Sequence, residues 1–281
     1  MFSNKDIARY YDVSEIHYRR FWNLAKSRSL HYGYWNSSTK NFHEALININ
    51  KVLSDLAGIT EGEKVLDAGC GIGGSSLWLC LHKNCYVTGI SLSEKQVATA
   101  NELAKKEGVD KQVQFESRDF TFTGYPSASF DVVWAIESVC HAADKGLFIK
   151  EAYRLLKPGG RLIMADFFKQ PGLTGEDEGL LQEWASGWAV KDFATIKEFE
   201  TKLLAEGFAT TNLHNATEAI RPSAKRLYRA YFPGAFLGFL YRILHPGATE
   251  LGKKNVRTAY LQYKCLQKRL WYYYIVLAYK S

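Results

Sequence analysis

From Glu61 onward, short runs rich in β-branched and aromatic residues alternate with stretches whose apolar positions recur every three or four residues. The runs are Lys64 to Ala68, Tyr86 to Ile90, Val113 to Ser117, Asp131 to Ile136 and Arg161 to Asp166. Alternation of this kind predicts βαβ units and a mostly parallel sheet, an α/β fold. Between the second and third runs, Ser93 and Gln96 make a capping box. Val97, Ala100, Leu103 and Ala104 then form a helical stripe, and Gly108 supplies the stop. Leu147 to Leu156 predicts a further helix, ended by the Lys157-Pro158-Gly159-Gly160 turn.

Two or three helices are predicted ahead of this core. In the last of them Phe42, Ala45, Leu46, Ile49, Val52, Leu53 and Leu56 recur at helical spacing. Beyond the core, Gly179 to Trp188 and Thr195 to Glu206 predict helices, and Ala209 to His214 and Trp271 to Tyr279 predict strands. Between those strands Leu227, Tyr228, Tyr231, Phe232, Ala235, Phe239 and Ile243 fall near one helical face, and Val256, Tyr260, Tyr263 and Leu270 repeat the pattern. Pro233 and Gly234 are expected to bend or break that helix. The chain therefore divides into a helical cap (1–60), a core (61–215), a helical insertion covering the substrate (216–270) and a last strand (271–281).

A chain of 281 residues, 47% hydrophobic, suffices for one sizeable core with an appended lobe. No apolar run approaches a membrane span, and Lys5, Asp6 and Arg9 interrupt any signal-peptide pattern. Five cysteines without a C-x-x-C pair argue against a disulfide framework or a zinc cage, so no metal is expected and a reducing cytoplasm fits best. Residues 202–281 carry 13 Lys and Arg against 3 acidic residues, leaving the first 201 at 23 against 26. A basic, aromatic stretch suits an anionic partner, such as a membrane surface touched peripherally, as well as it suits a solvated face.

Gly69, Gly71 and Gly74 in DAGCGIGG (67–74) close a strand and open a helix, the arrangement that lets a backbone turn tightly around a ligand's charged group. A nicotinamide enzyme would place an acid near the end of the next strand; Ser91 stands there. DAGCGIGG is followed by GISLS (89–93), SRDF (117–120), FDVVWAIES (130–138) and LLKPGGRLIMADFF (155–168). In order and spacing this series resembles the class I S-adenosylmethionine-dependent methyltransferases. The resemblance implies a Rossmann-like seven-stranded sheet with helices on both faces and its last strand antiparallel beside the fifth. It implies S-adenosylmethionine as cofactor, with Gly69 and Gly71 contacting the methionine part and Asp67 supporting the loop. Asp119 would take the adenine amine, with Phe120 beside the ring, and Ile136 is a further expected cofactor contact. Ser91 departs from the family's ribose-gripping acid, and Gln96 is the residue expected to share that task.

GISLS, the IES at 136–138 with Cys140-His141, and HYGYW (31–35) look like the branch of sterol, tocopherol and other isoprenoid C-methyltransferases and small-molecule O-methyltransferases. In that branch the segments around Tyr11 and around Tyr32 and Gly33 fold over the cofactor. Glu137 and His141 stand just past the fourth strand, where open α/β sheets place ligands, and their spacing suits one face of a helical turn. His141 is expected to act as base toward a hydroxyl. Glu137 is expected to hold a substrate hydroxyl, orient His141 or stabilise a carbocation, with Trp184, Trp188 and the insertion aromatics lining an apolar pocket. The Asn/Asp-Pro-Pro-Tyr tetrad of amine methylases is replaced by Ile136-Glu137-Ser138-Val139, so no nucleic acid is expected as partner. C-methylation of an isoprenoid, sterol-like or prenylated aromatic is the expected activity, ahead of O-methylation and cyclopropane synthesis. A non-enzymatic cofactor-binding protein is the remaining alternative.

Overall fold

Consecutive apolar residues give each central strand two apolar faces, and both are covered. A computed structural model describes residues 3–10, 28–244 and 251–281, with the backbone alone for 234–244 and 251–256. Seven strands, β1 (Lys64–Ala68), β2 (Tyr86–Ser91), β3 (Val113–Ser117), β4 (Phe130–Ile136), β5 (Leu156–Lys169), β6 (Phe208–Asn215) and β7 (Trp271–Lys280), form one sheet in the order β3-β2-β1-β4-β5-β7-β6. The first five pair in parallel; β7 runs antiparallel to both β5 and β6. Val65, Val132 and Ile163 belong to one buried layer, while Leu66, Val133 and Met164 belong to the other.

A helix over residues 4–10 (α1) precedes α2 (Phe42–Leu56), α3 (Gly74–Lys83) and α4 (Glu94–Glu107). Asn41 caps α2 by accepting from the Glu44 N–H, and Ile49 and Leu53 pack with Leu77 and Leu79 of α3 on the first layer. Complete burial of side chains such as Leu53 contributes roughly 1.5–3 kcal/mol each. The second layer is covered by α5 (Lys145–Leu155) and α7 (Ile196–Glu206), through Phe148, Ile149, Phe199 and Leu203. A full capping box, Thr195 with Glu198, starts α7.

α6 (Gly175–Gly187), α8 (Thr217–Leu244) and α9 (Leu251–Gln267) complete the described elements. α8 continues through Pro222 and Pro233 instead of breaking at the second. A proline removes one backbone hydrogen bond but keeps a helical φ. β5 is longer than its apolar run predicts, because Leu156 already pairs with Phe130 before the Pro158-Gly159 turn. No helix among the described residues is long and apolar enough to cross a membrane. All five cysteines are free thiols.

Candidate cofactor cleft and active site

The carboxyl ends of β1, β2 and β4 open onto a single cleft, enclosing about 1250 Å³ of space that includes its solvent-facing mouth. It is lined by Asp67, Gly69, Gly71, Ser91, Gln96, Asp119, Phe120, Ile136, Glu137 and His141, and α1 contributes Asn4 and Ile7 to its wall. Burial pushes the Asp67 carboxyl up to about 7, opposed by the Ser76 hydroxyl, which donates to Oδ2 at 2.6 Å. Asp67 thereby ties the glycine loop to α3. The Ser91 hydroxyl donates to Gln96 Oε1 at 2.8 Å, so the two residues act as one polar pair at the end of β2. Asp119 Oδ1 accepts from the Thr121 N–H and hydroxyl, while Oδ2 accepts from the Asn4 amide at 2.6 Å.

Glu137 directly follows β4 in left-handed backbone, φ 50°, with its N–H donated to the Ala165 carbonyl. A non-glycine residue held there carries strain that its surroundings must sustain. Oε1 accepts from the Tyr32 N–H at 2.7 Å and from the Tyr273 hydroxyl at 2.9 Å, whereas Oε2 accepts no hydrogen bond among the described residues. Burial drives the carboxyl up to about 8, against these two donors and helped by nearby Asp166. His141 is likewise buried, which lowers it to about 4, with the Ala189 carbonyl opposing. A 3-10 turn spans Val139–His141 only. It is the cleft, and not a shared helix face, that brings Glu137 and His141 together.

Tyr32 and Gly33 do not line the cleft. The Tyr32 ring turns into the core, stacks at 6.4 Å on Trp271, and its hydroxyl donates to Gln262 Oε1 at 2.8 Å. Gly33 exchanges hydrogen bonds with the Ser223 hydroxyl and packs against Ala45 of α2. Tyr11 lies outside the described residues. Trp184 is fully buried against Phe193, Trp188 and Trp271 and does not line the cleft.

Sequence reasoning missed several residues here. Asp166, at the end of β5, accepts from the Cys140 and Phe167 N–H groups and fixes the turn that carries His141; burial pushes it up to about 6. Lys145 Nζ donates to the carbonyls of Cys140, Ala142 and Asp192 and ties the same turn to the chain before α7. An acid at the end of an apolar strand and a lysine one turn past the site were the available signals. His31 and Ser29 enter the cleft from the segment before Tyr32.

A glycine loop running from β1 into α3, polar groups at the carboxyl ends of β2 and β3, and an antiparallel β7 together define an α/β fold built around a nucleotide-type cofactor. The sequence matches the family described as a methyltransferase domain over residues 66–164. It is 36% identical over 195 residues to the 27-O-demethylrifamycin SV methyltransferase of Amycolatopsis mediterranei, covering 69% of this chain and 72% of that one. It is 34% identical over 195 residues to the 2-methyl-6-phytyl-1,4-hydroquinone methyltransferase of Synechocystis sp., covering 65% and 60%. Among solved structures, a geranyl diphosphate methyltransferase with geranyl diphosphate and sinefungin superposes with a TM-score of 0.78 at 18% identity, over 99% of each chain. The chain belongs to the class I S-adenosylmethionine-dependent methyltransferases: it is an enzyme, and S-adenosylmethionine is its cofactor.

Proposed function

We propose that this enzyme methylates a carbon of a small, largely apolar molecule of isoprenoid, sterol-like or prenylated aromatic type. The observation that carries the reading is Glu137, a buried carboxyl with one oxygen fixed by Tyr32 and Tyr273 and the other left to the cleft. Beside it the cleft is lined by the apolar Ile136 as well as by Ser138 and His141. In the supported arrangement Gly69 and Gly71 hold the methionyl part with Asp67 behind them, and Ser91 with Gln96 holds the ribose. Asp119, Phe120 and Ile136 receive the adenine. The bound cofactor supplies an electrophilic methyl group on a sulfonium. Glu137, neutral near pH 7 by burial alone, ionises when a cation lies beside it and then balances charge that appears on the substrate. The hydroquinone relative and the sterol enzymes in the comparison, such as cycloartenol-C-24-methyltransferase of Arabidopsis thaliana, support an isoprenoid-bearing substrate.

O-methylation is the second reading, favoured by the rifamycin relative and by His141, which burial keeps in the neutral, proton-accepting form. Calorimetric titration with S-adenosylmethionine and S-adenosylhomocysteine, followed by transfer of labelled methyl into lipid, phenolic and RNA extracts, tests both. Binding with label in the organic phase is expected. Label in RNA alone, or no binding of either compound, would overturn the reading.

The same substrate class supports contact with an anionic membrane through α8. Lys225, Arg226 and Arg229 are exposed on it, beside an exposed Phe232. Each basic side chain near such a surface contributes about 1 kcal/mol, a weak total that salt screens. Co-sedimentation with phosphatidylserine vesicles is expected at low salt and should vanish as salt is raised. Equal binding to neutral vesicles would contradict it.

A further inference from the structure

The segment from Arg28 to Tyr32 runs between the start of α3 and Glu137, and it carries a polar atom that the protein leaves unsatisfied. At one end the Arg28 carbonyl lies so close to Gly74, the first residue of α3, that an added methyl would meet it at 2.1 Å and Ser29 Oγ at 3.2 Å. At the other end the Tyr32 N–H donates to Glu137. His31 sits between them, 7% exposed and lining the cleft. Its Nδ1 is 2.9 Å from the Tyr32 carbonyl oxygen, which only accepts, so the ring proton is assigned to Nδ1 and Nε2 carries a lone pair. Nε2 is buried and has no hydrogen-bond partner among the described residues. A buried acceptor in this state lowers stability until a donor reaches it.

Burial also holds the His31 ring at about 4, so near neutrality it accepts and does not donate. Two charged groups stand at the methionyl end of the cofactor. The carboxylate only accepts, and it suits the free N–H groups at the start of α3. The ammonium only donates. We propose that His31 Nε2 accepts a hydrogen bond from the cofactor's α-ammonium and so fixes the methionyl chain between α3 and Glu137. This assignment rests on the cofactor placement given above and adds to it a contact made by a side chain outside the glycine loop.

The test is calorimetric titration of wild-type, His31→Asn and His31→Gln protein with two ligands. One is S-adenosylhomocysteine; the other is 5′-methylthioadenosine, which keeps the adenosine and sulfur but lacks the amino-acid end. Asparagine retains an N–H for the Tyr32 carbonyl but, with a shorter side chain, places no acceptor at the Nε2 position. Its Kd for S-adenosylhomocysteine is expected to rise about 10- to 100-fold, the loss of a charge-assisted hydrogen bond, with 5′-methylthioadenosine unchanged. Glutamine, which returns an oxygen near the Nε2 position, should recover most of that loss. Unchanged S-adenosylhomocysteine binding in His31→Asn overturns the role of His31, as do equal losses for both ligands, which would mark a purely structural effect. Wild-type protein binding neither ligand would instead sink the cofactor placement itself.

Discussion

Exchanging Glu137 for glutamine is expected to cut methyl transfer by at least about 100-fold while leaving S-adenosylhomocysteine affinity within about threefold, a loss typical of removing one charged group from a site. Glutamine keeps an oxygen for the Tyr32 N–H and the Tyr273 hydroxyl, so the fold around the cleft is preserved. What it removes is the ability to ionise. S-adenosylmethionine, a cation at sulfur, should therefore lose more affinity than its neutral product. A second signature is independent of catalysis. The Glu137 pKa is raised on folding from 4.5 to about 8, so the stability it contributes is fully present below about pH 4.5 and is lost as pH rises through 8. Asp67, at about 7, and Asp166, at about 6, act in the same sense at lower pH. His31 and His141, both lowered to about 4, act oppositely: their contribution is present above about 6.5 and lost as pH falls through 4. Ligand-free wild-type protein should then lose about 3 °C of Tm between pH 7 and 8. The glutamine variant should lose much less over the same interval. Full activity with an unchanged pH–Tm curve would remove Glu137 from the chemistry.

Gly69→Ala is expected to weaken S-adenosylhomocysteine binding by more than about 100-fold. Gly69 has φ +90°, where an L side chain costs about 1–3 kcal/mol. The added Cβ would also meet Ser138 Cβ at 2.3 Å and its Oγ at 2.8 Å. Ser138 has little freedom to retreat, because its hydroxyl donates to the Ala68 carbonyl at 2.5 Å and it adjoins Glu137. The glycine is thus needed both for the turn and for the approach of the β4 loop to the β1 loop. Combining Gly69→Ala with Ser138→Gly separates the two effects: the double variant should regain part of the lost affinity while the backbone strain remains. Near-normal binding by Gly69→Ala alone would show that neither constraint governs the cleft.

The strands were legible because each is a short β-branched run closed by turn residues, and the pairs beside the cleft followed from sheet order. Side-chain direction in irregular backbone was not. In the extended segment from Ser29 to Gly33 no periodicity says that His31 enters the cleft while the Tyr32 ring turns to Gln262. The helical turn expected between Glu137 and His141 failed for a related reason. Glu137 adopts left-handed backbone set by the Ala165 contact, a long-range pairing invisible to local spacing. Asp166 and Lys145 were missed because both serve backbone groups of the turn, and such partners exist only once β5 and α5 are packed.

β7 sits between β5 and β6 but follows them in the chain, after the whole insertion. On the ribosome, β5 must therefore wait with an open edge while roughly 100 residues are added, and β6 while roughly 55 are added, about 5–20 s and about half that at ordinary elongation rates. Tyr273, which holds Glu137, arrives only with that final strand. The nascent chain can assemble its glycine loop early, yet the Glu137 carboxyl gains its Tyr273 partner only with β7, so chaperone dependence and translation speed through 216–270 bear directly on the yield of protein with a fully formed cleft.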